Sequence, residues 1–409
     1  MTAPVFILGG YQTDFARNWT KEGLDSADMF AEVVPATLTA AGVSAADIGV
    51  IHVGNAFGQL LTGQGHLGGM AATVDPGLSG VPAARHEAAC ASGGIAILSA
   101  MADLESGRYD AALVIGMELE KAVTGDEVAR QMRAASWVGH EAESVAYVWP
   151  WTFDAVADEY DRRFGLADAH LRAIGELNFR NARHNPNAQT RDWQLTPESF
   201  TADDVVNPVV HGRLRRQDCS QVTDGAAGLV LATDDFLAGH PILAARPRVR
   251  VAGWGHRTVG LPLDRKLAAS AGDRYVLPHV RGTILDAFGR AGIPGVAAVD
   301  GIETHDCFTP SEYLAIDHFG ITEPGMSWQA IEAGDLELTG RIPMNPSGGL
   351  IGGGHPVGAT GVRMVLDAHR QVTGTAGDYQ VDGARSFATL NIGGSTTTTV
   401  AFVISAEDR

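Results

Sequence analysis

Asn345-Pro346-Ser347-Gly348-Gly349-Leu350-Ile351-Gly352-Gly353-Gly354-His355-Pro356-Val357-Gly358-Ala359-Thr360-Gly361 is the stretch on which the reading of this chain turns. His355 is its one side chain able to act as a base at neutral pH. A glycine-dense loop could instead cradle a nucleotide phosphate. The Gly-x-Gly-x-x-Gly spacing of a dinucleotide fold is missing, however, and no Gly-Lys-Ser/Thr follows. An imidazole held on a glycine turn ahead of a helix suits catalysis better than packing. The chain as a whole carries 50 glycines in 409 residues, well above the roughly 7% of average proteins.

A second stretch complements the first. In His86-Glu87-Ala88-Ala89-Cys90-Ala91-Ser92-Gly93-Gly94, a cysteine stands before a helix whose first turn is made of small residues. The helix amino terminus favours a thiolate, and small residues let a substrate approach the backbone. Alone, Cys90 reads equally as an inert buried thiol. A third stretch, His305-Asp306-Cys307-Phe308, closes an apolar run. Three adjacent residues do not readily face one ion and no Cys-x-x-Cys exists, so no metal site is expected. Proton transfer by Cys307 and hydrogen bonding to an oxyanion by His305 fit better, although locally a satisfied histidine at a strand end explains the stretch as well. The turn Asn391-Ile392-Gly393-Gly394-Ser395 offers backbone N–H groups to an oxyanion.

Around these loops, strand-like and helical runs alternate. Val5–Leu8, Val50–Val53, Ala111–Ile115, Arg248–Trp254, Val299–Thr304, Ser386–Leu390 and Thr397–Ile404 read as strands. Ala27–Ala41, Ser92–Glu105, Leu277–Arg290 and Ala359–Gln371 read as helices, the first expected to kink or split at Pro35. The expected class is α/β with a buried sheet. The segment from Ala41-Gly42-Val43 to Phe57 parallels that from Ala291-Gly292-Ile293 to Phe308. The Cys90 helix and its following strand are likewise echoed by the His355 helix and its strand. Two related halves would bring Cys90, His305–Cys307, His355 and Asn391–Gly394 to equivalent strand ends, where α/β folds place sites. Residues 1–117 and 229–247 are expected to form the first half and 248–409 the second. Residues 118–228, with four of the seven Trp, are expected to be an inserted loop domain lying over the first half.

Composition limits the partners. The net charge of −18 argues against nucleic acid and against anionic membranes as general partners. Three cysteines exclude a disulfide framework and point to a reducing compartment. Met1–Gly10 reads as a first strand and not a signal peptide, no run spans a bilayer, and Ala406-Glu407-Asp408-Arg409 is no targeting address, so the cytoplasm is expected. Arg213-Leu214-Arg215-Arg216 is the one dense basic run. It reads as a solvated patch or as a dock for a phosphorylated substrate.

The Cys90 and His355 loops resemble those of the thiolase superfamily, as does Gln221-Val222-Thr223-Asp224-Gly225-Ala226-Ala227. His305-Asp306-Cys307-Phe308 resembles the sterol-carrier-protein-type branch. The resemblance spans nearly the whole chain. It implies a five-layered αβαβα fold of two pseudo-symmetric halves, usually a homodimer or homotetramer. It also implies acyl-CoA substrates, no further cofactor, and an acetyl-CoA acetyltransferase-like activity in lipid metabolism. Cys90 would be the acylated nucleophile, His355 its base, and Cys307 the second proton carrier. His305 and His355 would order one oxyanion hole, and the N–H groups of Cys90 and Gly393 the other. Ordinary members carry a second catalytic cysteine where this chain has Asn391, which cannot exchange protons near neutral pH. That departure keeps two alternatives open. One is a retro-aldol lyase or condensing subunit acting with a partner protein, and the other is a non-catalytic CoA-binding subunit. Arg213, Arg215 and Arg216 would meet the CoA phosphates, and Cys219 is left to packing.

Overall fold

The computed structural model describes residues 3–407. Met1, Thr2, Asp408 and Arg409, at the outer ends of the expected first and last segments, lie outside the described residues. Nine strands form one sheet: β1 (Val5–Gln12), β2 (Val50–Gly54), β3 (Ala83–His86), β4 (Ala111–Glu118), β5 (Gly225–Thr233), β6 (Val249–Thr258), β7 (Gly301–Thr304), β8 (Ser386–Gly393) and β9 (Thr398–Ala406). The longer helices are α1 (Ser26–Ala41), α2 (Ser92–Glu105), α3 (Val148–Phe164), α4 (Asp168–Ala182), α5 (Pro278–Ala291), α6 (Thr309–Phe319) and α7 (Thr360–Thr373).

Strand order β3-β2-β4-β5-β1-β6-β9-β8-β7 makes the internal repeat visible. In the first half β2 pairs parallel with β3 and β4, and β5 pairs antiparallel with β4 and β1. In the second half β7 pairs parallel with β8, and β9 pairs antiparallel with β8 and β6. Met344 bridges in parallel to Ile302 of β7, taking the place that β3 holds beside β2. The two half-sheets meet through β1 and β6 at Phe6 and Arg250. Helices α2 and α7 lie between the half-sheets, α7 touching strands of both, while α1 covers β1 and β5 and α5 covers β6 and β9 on the outside. These are the five layers of an αβαβα fold. Strands β4, β5 and β8 are buried along nearly their whole length, as a sheet covered on both faces must be.

Several expectations need correction. Helix α1 runs unbroken through Pro35. Pro35 sits on its exposed face beside the exposed Ala31, so the carbonyl deprived of its partner faces water and the helix loses little. Strand β5 begins at Gly225, before the expected return at Leu229, and β7 begins at Gly301, after a helical turn at Val296–Ala298. The insertion is divided between the halves: Val128, Met132 and Ala135 pack with Ala56, Phe57 and Leu61 of the first half, as expected, but its long helices do not. Phe153, Val156 and Tyr160 of α3, with Leu171, Ile174 and Leu177 of α4, share a core with Leu277, Val280, Ile284, Tyr313 and Phe319, all from the second half. Periodicity showed that these helices have an apolar face, but it cannot say which body receives it. Among the described residues no helix is long and apolar enough to cross a membrane.

Candidate active site

Cys90 sits between β3 and α2, after Ala89, whose φ of 51° is left-handed. The Ser92 hydroxyl clamps this turn: it accepts from Ala88 N–H at 2.9 Å and donates to Ala89 O at 2.6 Å. The Cys90 thiol is pushed up to about 12 by burial and next by the Glu120 carboxyl, against a hydrogen bond from Gly394 N–H. The helix terminus therefore does not produce a resting thiolate, as the sequence had suggested. Desolvation outweighs it, and Cys90 rests as a thiol that needs a base.

An imidazole lies beside it. His355 is 6% exposed and its Nε2 has no hydrogen-bond partner. Its Nδ1 lies 2.7 Å from Thr360 Oγ1, and the Thr360 hydroxyl donates to Pro356 O at 3.0 Å. With its only hydrogen so used, Thr360 Oγ1 accepts from Nδ1–H, and the free lone pair is on Nε2. Burial, and then the Arg363 charge, lower the His355 pKa to about 3, so the ring is neutral. Thr223 Oγ1 accepts from His355 N–H at 2.9 Å, fixing the loop.

His305, 1% exposed, stands edge-on to His355 with ring centroids 5.1 Å apart. The thiol of Cys90 and one ring nitrogen of each histidine all lie within 4.8 Å of one another. Asn391 Nδ2 donates to Cys90 O at 2.9 Å and faces His305 Nδ1 at 3.3 Å. His305 Nδ1 thus accepts, and Nε2 carries the proton that an oxyanion would receive. Asn391 thus ties the Cys90 loop to His305. Cys307 is buried, and its thiol is held well above the usual range by burial and then by Cys90. Asp306 turns away, accepting from Leu350 N–H and Ile351 N–H at 2.6 and 3.1 Å and from Asn178 at 2.9 Å. Gly393 ends β8, where an added Cβ would meet Ala88 O at 2.2 Å. Its neighbour Gly394 supplies the N–H that reaches Cys90 sulfur.

Cys90, Cys307, His355 and Gly394 open on a cavity of about 430 Å³. Its walls are apolar, with Phe57, Val128, Met132, Trp149, Phe153 and Phe308, and Arg216, Ser220 and Gln221 also line it. The basic run divides here. Arg213 is engaged by Asp158, Asp161 and Asp168, and Arg215 by Asp204 and the carbonyl of Asn207. Of the three arginines, Arg216 alone lines the cavity.

The sequence reading passed over Thr360, Thr223, Glu118 and Glu120. Glu120 accepts from Thr223 N–H and Val357 N–H, both at 2.9 Å, and Glu118 from Ala56, Phe57 and Gly358 N–H groups. These two carboxylates tie the histidine loop to the end of β4. A signal was available: Glu118-Leu119-Glu120 places two acids on one side of the end of an apolar strand, where unpaired burial would be costly.

Residues 5–235 match the thiolase N-terminal domain and residues 268–406 the thiolase C-terminal domain-like model. This chain belongs to the thiolase family. Acetyl-CoA acetyltransferase of Methanothermobacter thermautotrophicus is 32% identical over 406 residues, covering 98% of this chain and 99% of that one. Sterol carrier protein 2 of Homo sapiens is 25% identical over 400 residues, 95% of this chain and 70% of that one. Among solved structures, the Ltp2-ChsH2(DUF35) aldolase superposes with a TM-score of 0.80 at 17% identity, over 99% of this chain and 98% of that one. Acetyl-CoA acetyltransferase from Syntrophomonas wolfei does so with 0.73 at 16% identity, over 100% of each. At such identities the two structures speak for the thiolase fold alone.

Proposed function

We propose that this thiolase-family chain is an acyl-CoA:acyl-CoA C-acyltransferase, cleaving or forming 3-ketoacyl-CoA through an acyl group carried on Cys90. The observation that carries the reading is the convergence of a thiol, a neutral imidazole with a free Nε2 and a second thiol on one apolar cavity, with a second imidazole directly beside the first two. In the cleaving direction Cys90 attacks the 3-keto carbon and its proton passes to His355 Nε2. The oxygen becomes an oxyanion, which His305 Nε2–H and backbone N–H groups receive. The C2–C3 bond breaks, its electron pair leaves on C2 as the enolate of acetyl-CoA, and Cys307 protonates C2. CoA thiol then gives its proton to the Cys307 thiolate and attacks the Cys90 thioester. Cys90 leaves and recovers the proton held by His355. Condensation is the reverse. Both thiols start and finish protonated, in keeping with their burial. The reaction needs no cofactor beyond the thioesters, and Arg216 stands where the cavity could receive an anionic substrate.

The test separates the two half-reactions. With Cys307→Ala, intact-mass measurement should still find an acetyl group on Cys90 after incubation with acetyl-CoA. Thiolysis of acetoacetyl-CoA should fall by about 10²–10⁴-fold. Wild-type thiolysis by that variant would remove Cys307 from the mechanism. Absence of any acyl group on Cys90 in the unmodified protein would instead favour a carbon–carbon lyase or a CoA-binding role.

A further inference from the structure

The donor set around the nucleophile has a second chemistry. We infer that Cys90, His305 and His355 form an inhibitory site for a zinc-like divalent cation, which would cap the nucleophile reversibly.

Two features support this. Thiolate and imidazole are the ligands zinc prefers, and three protein ligands with a fourth position open to water is a familiar zinc arrangement. Here three donor atoms from three separate loops lie within 4.8 Å of one another. Bonds of about 2.3 Å to sulfur and about 2.0–2.1 Å to nitrogen put tetrahedral ligand pairs roughly 3.3–3.6 Å apart, so about 1 Å of inward side-chain rotation closes the set. Next, His355 is already arranged as a ligand. Its Nε2 is buried with no partner, and Thr360 Oγ1 holds its Nδ1–H, the kind of outer contact that orients a metal-binding imidazole. His305 would turn over its tautomer to give Nε2 to the ion, and its Nδ1–H would then displace the Asn391 amide donor that faces it.

Charge neither drives nor blocks the ion: Glu120 lines the same cavity and Glu118 ends β4, but burial pushes both carboxyls up, Glu118 to about 7. The nearby buried cation, Arg363, is already matched by Glu303 and Asp367, each at 3.0 Å. The binding step is balanced: Zn²⁺ replaces the Cys90 proton on sulfur, and that proton goes to solvent. No electron transfer is involved. His305-Asp306-Cys307, the grouping the sequence offered for a metal and rejected, is not this site, because Asp306 is spent on the Leu350 and Ile351 amides.

The inference needs only the donor set and stands apart from acyl transfer. Full-length protein titrated with Co²⁺ alone should develop thiolate-to-cobalt absorption in the near ultraviolet and the visible bands of a tetrahedral ion. Both should disappear in Cys90→Ser and in His355→Ala. Thr360→Val, which strips the outer partner of His355, should weaken binding about 10–100-fold. In the unmodified protein Zn²⁺ should release a proton on binding and slow alkylation of Cys90 by iodoacetamide, reversed by a chelator. Cobalt spectra that persist in Cys90→Ser, or alkylation indifferent to Zn²⁺, overturn the site. The alkylation arm uses no variant, so misfolding cannot mask the answer. Acetylation of Cys90 by acetyl-CoA in the presence of chelator, measured on the same sample, reports on acyl transfer independently.

Discussion

At Cys90 and His355 the ordinary gap between thiol and imidazole is widened: the thiol is pushed up to about 12 and the imidazole down to about 3. A resting ion pair is therefore disfavoured, and the proton moves only as sulfur attacks. The sign of the pH dependence follows. Neutral His355 is present above about pH 3, so the acid limb of Cys90 acetylation should lie well below the ordinary histidine value of about 6.5. Alkylation by iodoacetamide requires thiolate. It should keep rising with pH beyond the midpoint of a free thiol near 8.5, and a midpoint at or below that value would refute the burial argument. Thr360→Val removes the acceptor that holds the proton on Nδ1, so acetylation should slow by about 100-fold while KM changes little. Cys90, His305, Cys307 and His355 were all legible as candidates because their residue types are chemically rare in such contexts. Asn391 was legible only as a missing cysteine; its bond to Cys90 O is a contact between residues 301 apart in sequence, which no local pattern contains.

At the scale of elements, the glycine surplus has a packing cause. Helices α2 and α7 begin against one another in the central layer. An added Cβ at Gly361 would meet Gly94 N at 2.3 Å, and one at Gly93 would meet Gly358 O and Val362 N at 2.9 Å. Only hydrogen side chains allow the two helix starts, and with them Cys90 and His355, to come so close. Gly361→Ala should therefore cost about 1–3 kcal/mol by thermal unfolding and should also lower turnover, since relief means moving backbone. An unchanged melting temperature would show that the layer can give way. The surplus was visible in the sequence and half explained by the loops. That it spaces two helices was not, because each glycine meets the other half of the chain.

For the whole molecule, the decisive feature is that the cavity is built by parts distant in sequence. Cys90 comes from the first half, Cys307 and His355 from the second, and Trp149 and Phe153 from the insertion. The insertion is pinned to the second half by Tyr160, whose hydroxyl donates to Asp317 at 2.7 Å in a fully buried setting. Tyr160→Phe strips a donor from that carboxylate and should cost about 1–3 kcal/mol, measured in denaturant. If the insertion rested on the first half, as its sequence position suggested, the change would be nearly silent.

What the sequence by itself determined is what local patterns and duplication can encode: the α/β class, the two like halves, the positions of the chemistry-bearing loops and the family. Strand and helix periods are short-range, and a repeat is visible wherever it stands in the chain. Only the tertiary structure decided that helices α3 and α4 of the insertion pack on the second half, which arginine of 213–216 reaches the cavity, and that Cys90 rests as a thiol beside a neutral imidazole. Each of these depends on desolvation or charge supplied by residues far away along the chain, and burial is a property of the folded body and not of the segment.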